Sequence, residues 1–315
     1  MTYDVIIIGA GPAGLTAAIY TGRNRLKTLV LSKDLGGQAA VAGEVGNFPG
    51  IAKITGAELV RLMYEQATSL NFVEAKIGAG YSIVSLARGQ DGYNITTQDG
   101  NKYGGQTVII TAGRDPKKLN IPGEKEFIGR GVSYCATCDA PFFKNRTVAV
   151  VGGGNSASKA ADMLSRYATK IYVLTIDEDL GGETVILEKI KSLDKITVVP
   201  FAHATQILND KAKVTGIEYR DGKTGETQQV KVDGVLVEIG SVPNTQHFGG
   251  LVKLNQWNEI EIDNKNSSKM PGLFAAGDVT SILGKQIVIA AGEGAKAAMA
   301  VSEYLTTQKN KIDAK

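Results

Sequence analysis

A buried strand, a glycine-rich turn and a helix follow one another twice in this chain, first from Asp4 and again from Thr147. In the first copy, residues 4–9 form a β-branched run with no polar alternation, the pattern of a strand covered on both faces of a parallel sheet. A helix over 13–20 and a strand over 28–31 then complete a βαβ unit. In the second copy the strand is 147–151, the turn Gly152-Gly153-Gly154, the helix 156–166 and the next strand 171–174. The later parts correspond too: 108–113 leads to Pro116 and 235–240 leads to Pro243, each an apolar strand followed by Gly-x-x-Pro. The expected fold class is α/β, with two Rossmann-like dinucleotide-binding domains. Residues 268–278 and a helix over 292–305 read as a return to the first domain, so the second is an insertion. The crossings fall near 114 and 245, which assigns 1–114 and 246–315 to one domain and 115–245 to the other.

The chain is long enough for two such domains, at 315 residues. Its 43% hydrophobic and 21% charged residues exclude a disordered, collagen-like or coiled-coil protein. Glycine contributes 38 residues, well above the usual share of roughly 7%, so many backbone positions must turn sharply or approach something closely. With 35 basic and 32 acidic residues, the net charge of +3 does not point to a nucleic-acid partner. The N-terminus lacks the basic start of a signal peptide, and the apolar stretch 5–20 is too short and too glycine-rich to span a membrane. The expectation is a cytoplasmic protein without a membrane partner. Thr55 and Glu58 form a capping box ahead of a helix with Leu59, Leu62, Met63 and Leu70 on its apolar face. Residues 81–86 and 93–97, with Asp91-Gly92 between them, read as a hairpin.

The turn Gly9-Ala10-Gly11-Pro12-Ala13-Gly14 fits G-x-G-x-x-G between strand and helix. The first glycine permits the tight turn, the second lets a pyrophosphate approach the backbone, and the third lets helix pack on strand. The helix start then offers unpaired N–H groups to the anion. Asp34, twenty residues beyond Gly14, is placed to accept from ribose hydroxyls, or else is a solvated loop charge. Gly152, Gly154, Asn155, Ser156 and Ala157 make a second cradle of the form G-x-G-x-x-A. Two cradles suggest two dinucleotides, one a fixed flavin and the other an exchanging nicotinamide. Beyond the second cradle, Asp177-Glu178-Asp179 offers carboxylates and no base, which would repel a ribose 2′-phosphate. A free 2′-hydroxyl could instead donate to Asp177, so NADH is favoured over NADPH. The alternative is that these acids are solvated and the second cradle serves packing alone.

Cys135-Ala136-Thr137-Cys138-Asp139 holds both cysteines of the chain. A C-x-x-C brings two sulfurs within bonding reach, and the pair can cycle between dithiol and disulfide. A zinc site would need four ligands, and His203 and His247 are the other soft donors, far away in sequence; no metal is expected. Inert buried thiols remain the other reading. Asp139 is placed to act as an acid toward a leaving thiolate or a flavin, or to shape the turn.

With cradle, cysteine pair and second cradle in this order, the chain resembles the low-molecular-weight thioredoxin reductases over nearly its whole length. Gly36-Gly37-Gln38, Gly46-Asn47-Phe48-Pro49-Gly50, Thr111-Ala112-Gly113, Gly277-Asp278-Val279 and Lys285-Gln286 carry the likeness further. The stretch from Lys285 to Lys296 is closer still to the flavoprotein component of alkyl hydroperoxide reductase, a relative with an extra N-terminal thioredoxin-like region not seen in this sequence. The resemblance implies FAD held by Gly9, Gly11, Pro12, Ala13, Gly14, Asp34, Gly37, Gln38, Asn47, Gly113, Gly277, Asp278, Lys285, Gln286 and Ile287. It also implies a homodimer, with Cys138 facing the flavin, Cys135 attacking a disulfide on a thioredoxin-like protein, and Asp139 as the acid. Members of that family alternate between two domain orientations, for which the crossings near 114 and 245 would be the hinge.

The departures bear on the donor. NADPH-using members carry His-Arg-Arg where this chain has Thr175-Ile176-Asp177, and an Arg near Gly181; the hydroperoxide-reductase relative has Glu at the position of Thr175. Lys159 and Ala160 replace a frequent Glu-Glu pair. Members without either signature include enzymes reduced by ferredoxin or a deazaflavin, so the donor stays open. The reading is a flavin-dependent dithiol–disulfide oxidoreductase serving a thioredoxin-like protein. Its alternatives are the reductase of a peroxiredoxin system, a ferredoxin- or deazaflavin-dependent reductase and, in a different class, a flavin-bound redox sensor without turnover.

Overall fold

The computed structural model describes residues 2–42 and 44–313. The chain divides into two compact units, one built from the segment up to Ala42, Gly46–Asp115 and the chain from Val242 onward, the other chiefly from Pro116–Ser241. Each is an α/β layer structure around a sheet, wholly parallel in the second unit and mixed in the first, where Ile83–Gly89 and Gly92–Thr97 pair antiparallel, and the second unit is inserted into the first.

In the first unit, β1 (Thr2–Ala10), β2 (Thr28–Leu35), β3 (Val73–Ile77), β4 (Ile83–Gly89), β5 (Gly92–Thr97) and β6 (Lys102–Ile110) form a sheet in the order β3-β2-β1-β6-β5-β4, with β17 (Leu273–Ala275) also paired to β6. The central strand β1 is parallel to both neighbours, with Ile8 opposite Leu31 on one side and Ile110 on the other. Val5, Ile6, Ile7 and Ile8 are all buried, as an unalternating apolar strand requires. Helix α1 (Pro12–Arg23) begins with Pro12 in its first turn, where no N–H is missed. Helix α2 (Gly56–Thr68) is capped by Thr55, whose hydroxyl accepts from the Glu58 N–H at 3.2 Å.

Two expectations in this unit needed revision. Leu70 falls beyond the end of α2 at Thr68, and Leu62 lies 42% exposed, because the buried stripe of α2 runs through Leu59, Val60, Met63 and Ala67. Val60 takes the inward place, against the side of Gly36 where a Cβ would stand. The C-terminal helix α6 is longer than 292–305 and covers Ile287–Asp313. Its glycines thin the helix and leave it unbroken: a Cβ on Gly294 would collide with the Ala13 carbonyl of α1.

In the second unit, β8 (Val132–Ser133), β9 (Thr147–Val151), β10 (Lys170–Leu174), β11 (Ile196–Val199) and β15 (Gly234–Val237) form a parallel sheet in the order β11-β10-β9-β15-β8. The short helix α3 (Ala136–Asp139), α4 (Asn155–Leu164) and α5 (Thr184–Lys191) accompany this sheet, and β12 (Ala202–Asn209), β13 (Val214–Asp221) and β14 (Thr227–Val230) make an antiparallel sheet. One core joins Val148, Val150, Leu164, Ile171, Val173 and Leu236. The repeat read in the sequence is visible as register: β9 sits between β10 and β15 as β1 sits between β2 and β6.

The chain crosses through β7 (Arg114–Pro116) and β16 (Ser241–Pro243), which pair as a two-stranded ribbon. The return crossing lies a few residues before 245, since Asn244 already bonds to the carbonyls of Gly113 and Ala112, each at 3.0 Å. Among the described residues, no helix is long and apolar enough to cross a membrane.

Candidate functional site

The first cradle joins β1 to α1. Gly9 has φ +111, and a Cβ there would enter the Thr111 carbonyl, so only glycine fits. Gly14 lies flat against the Gly9 carbonyl and leaves no room for a methyl group. Gly11 differs: a Cβ there would meet only the Gly36 carbonyl, at 3.8 Å. The turn is tight at its first and third glycines and open at its second, the shape a pyrophosphate needs. Thr111 closes the cradle from β6, its hydroxyl within 2.9 Å of the carbonyls of Ile8 and Gly9.

Around this cradle the structure gathers most of the other first-unit candidates. Asp34 ends β2 beside it and accepts from the Gly37 N–H at 3.2 Å. Gln38 donates to Asp115 at 3.3 Å. Asn47 and Gln286, 239 residues apart, are joined by a 3.1 Å hydrogen bond. Gly277, with φ +78, would carry a Cβ only 2.9 Å from that of Ala13. Gly113, φ +66, faces open space. Ile287 begins α6. Asp278 is raised by burial, an effect that the nearby Lys285 and Arg114 oppose. Both cations reach Glu259, Arg114 at 2.9 Å and Lys285 at 3.2 Å. Burial pushes Glu259 up, but Asn255, Lys285 and Arg114 outweigh it and hold this carboxyl below the usual range. Arg114 and Glu259 escaped the sequence reading, since nothing in their spacing shows that a crossing residue meets a loop 145 positions later.

The second cradle repeats this geometry between β9 and α4. Gly152 has φ +150, and a Cβ there would enter the Glu238 carbonyl; Gly154 faces open space. Ala157, fully buried, stands where the first cradle has Gly14. Asn155 and Ser156 open α4. The end of β10 comes directly to the turn: a Cβ on Gly153 would lie 2.9 Å from an Asp177 carboxylate oxygen, and Asp177 N–H donates to the buried Thr175 hydroxyl at 3.1 Å. Gly181 donates its N–H to the Gly153 carbonyl at 2.7 Å, so the segment after the acids folds back onto the cradle. Lys159 pairs with Glu183 at 2.7 Å.

Cys135 and Cys138 form a disulfide, with Cα atoms 5.4 Å apart. Cys135 caps α3, and its sulfur accepts from the Cys138 N–H at 3.2 Å. Ser133 ties the segment together: its Oγ accepts from the Cys135 N–H at 3.1 Å and donates to Asp139 at 2.5 Å. Burial raises the Asp139 carboxyl, opposed by that Ser133 bond, and its Oδ1 is buried with no hydrogen-bond partner among the described residues. It is therefore suited to hold a proton. A second acid, Glu238, reaches the same segment and accepts from the Ala136 N–H at 3.3 Å. Burial pushes it up to about 7. Among the described residues no group of three His, Cys, Asp or Glu side chains could hold a metal ion.

Two cradles with open second glycines, and a disulfide just ahead of one of them, define a class: dinucleotide-dependent disulfide oxidoreductases. The chain belongs to the pyridine nucleotide-disulphide oxidoreductase family, whose pattern matches residues 3–302. That family works with FAD and a pyridine nucleotide. Among solved structures, it superimposes on the thioredoxin reductase of Streptococcus pyogenes with a TM-score of 0.90 at 33% identity, covering 97% of this chain and 99% of that one. The T. acidophilum thioredoxin reductase, at 37% identity and the same coverage of both chains, gives a TM-score of 0.66. Among curated proteins, the F component of the alkyl hydroperoxide reductase of Pseudomonas putida is 37% identical over 96% of this chain. That of Staphylococcus aureus is 36% identical over the same share. The chain spans 58–59% of the length of these two relatives.

Proposed function

We propose that this protein is an FAD-dependent dithiol–disulfide oxidoreductase that reduces a disulfide on a thioredoxin-like protein. The observation that carries the reading is the Cys135–Cys138 disulfide, set between a complete first cradle and a second one on the same chain. The first unit is the FAD domain. Gly9, Gly11, Pro12, Ala13 and Gly14 would hold the pyrophosphate, Asp34 the ribose, and Gly37, Gln38, Asn47, Gly113, Gly277, Asp278, Lys285, Gln286 and Ile287 the remainder. FAD, when bound, supplies a two-electron carrier between a nicotinamide and a disulfide. Reduction breaks the S–S bond and takes up two electrons and two protons, leaving two thiols. Asp139 holds one proton at its carboxyl. Cys138 would face the flavin, and Cys135, as thiolate, would attack the partner disulfide. The two crossing strands are where the inserted domain would turn, and the working unit would be a homodimer in the cytoplasm.

For the donor, Gly152, Gly154, Asn155, Ser156 and Ala157 would receive a nicotinamide dinucleotide, and Asp177 beside Gly153 favours a free ribose 2′-hydroxyl, hence NADH. The relatives in alkyl hydroperoxide reductase support a second reading, in which the disulfide substrate belongs to a peroxiredoxin system. Cys138→Ser should leave FAD bound and lower disulfide reduction at least about 10³-fold; unchanged turnover would refute the assignment. Anaerobic bleaching of the flavin with NADH, NADPH and reduced ferredoxin in parallel ranks the donors. Faster bleaching by NADPH than by NADH would overturn the role given to Asp177.

A further inference from the structure

The side chain of Glu238 is surplus to the fold. In the internal repeat Val237 pairs with Val151 as Ile110 pairs with Ile8, so Glu238 occupies the position of Thr111. The backbone does the same work in both copies: Thr111 N–H bonds to the Ile8 carbonyl and Glu238 N–H to the Val151 carbonyl, each at 2.8 Å. The side chains then part. The Thr111 hydroxyl turns onto the end of the neighbouring strand β1, 2.9 Å from the Gly9 carbonyl oxygen, while Glu238 leaves the cradle and reaches the peptide between the cysteines. A glutamine would accept the Ala136 N–H equally well without burying an acid, so the cradle gives no reason for a carboxyl here.

We propose that Glu238 is a positioning residue for the disulfide chemistry: its carboxyl, held on the N–H of the residue next to Cys135, sets the acidity of the Cys135 thiol and with it the balance between dithiol and disulfide. The inference deepens the oxidoreductase reading and rests on it. Burial already pushes this acid up, the Ala136 N–H alone favours its charged form, and no cation stands against it among the described residues. The other titratable groups around it are Cys135, Cys138 and Asp139 on the α3 segment, and Asp177 across the cradle beside Gly153. A carboxylate at Glu238 disfavours a thiolate at Cys135, and a neutral carboxyl does not. The two therefore titrate as a coupled pair.

The test uses the reduced protein and needs no flavin, donor or partner. Alkylation of Cys135 by iodoacetamide is followed from pH 5 to 9, with the site of labelling read from the peptide mass. Wild type should show two ionisation steps. Glu238→Gln should show one step at lower pH, with alkylation at pH 7 about three- to tenfold faster. Its equilibrium with glutathione should move toward the dithiol by up to about tenfold, about 30 mV less negative. Glu238→Asp, which keeps the charge, should keep two steps. A Gln variant that matches wild type in both measurements overturns the proposal. Should that variant fail to fold, a single-step wild-type profile overturns it instead. If the protein proves to have no reductase activity, these thiol measurements still read out, so the two failures are distinguishable.

Discussion

The two cradles share a backbone and differ in what surrounds it. Both have a first glycine with positive φ pressed on a carbonyl of the neighbouring strand, and both leave the second glycine open. At the third position the first cradle has Gly14, flush with the Gly9 carbonyl, where the second has Ala157. At the closing strand the first has Thr111, satisfied locally, and the second has Glu238, committed to the cysteine segment. At the end of the next strand each copy has an exposed acid: Asp34 accepts from the Gly37 N–H, while Asp177 lies beside Gly153 with Glu178 and Asp179 following. The first is a socket closed by its own domain; the second is a seat wired to the cysteine pair.

Gly14→Ala is the strongest way to break the parallel, because the new methyl group meets backbone that cannot yield. It should destabilise the protein by about 3 kcal/mol or more and lower flavin retention, measured by thermal unfolding and by the flavin-to-protein absorbance ratio. A variant as stable and as yellow as wild type would show that the helix simply slides away.

Glu238 supplies the second contrast. Its folded value near 7 stands above its ordinary 4.5, so the folded state binds a proton that the unfolded chain releases. The stability this contributes is present below pH 4.5 and falls as pH rises through about 7, by at most about 3 kcal/mol. Urea midpoints of wild type relative to Glu238→Gln should therefore drift downward across that window, whereas Thr111→Val should give a pH-independent difference. Thr111→Val itself should cost about 1.5 kcal/mol, from the lost hydroxyl bonds to Ile8 and Gly9; a loss below about 0.3 would mean the first cradle closes without them. Comparable in size is Ala157→Gly, about 1.8 kcal/mol from helix propensity and one buried methyl, with no expected effect on flavin content.

Much of this arrangement was legible in the chain itself. An unalternating β-branched run ending in G-x-G-x-x-G can be satisfied by few structures, because strand period, turn sterics and helix start must agree within about twenty residues. The same logic, repeated at 147, gave the second unit, and the spacing of Cys135 and Cys138 placed their sulfurs within bonding reach. The longer α6 and the outward Leu62 were less legible, because a glycine that thins a helix and a glycine that ends one look alike in sequence until the neighbouring α1 is known.

What sequence determined, then, is whatever depends on residues near one another along the chain: two cradles, a helix cap, a redox-competent cysteine pair. Tertiary structure alone decided which distant groups face these features: Glu238 on the Ala136 N–H, 102 positions away, Gln286 on Asn47, and Glu259 between Arg114 and Lys285. Local sterics are written in adjacent residues, whereas the burial and charge that set a carboxyl's proton affinity come from every strand and helix packed around it.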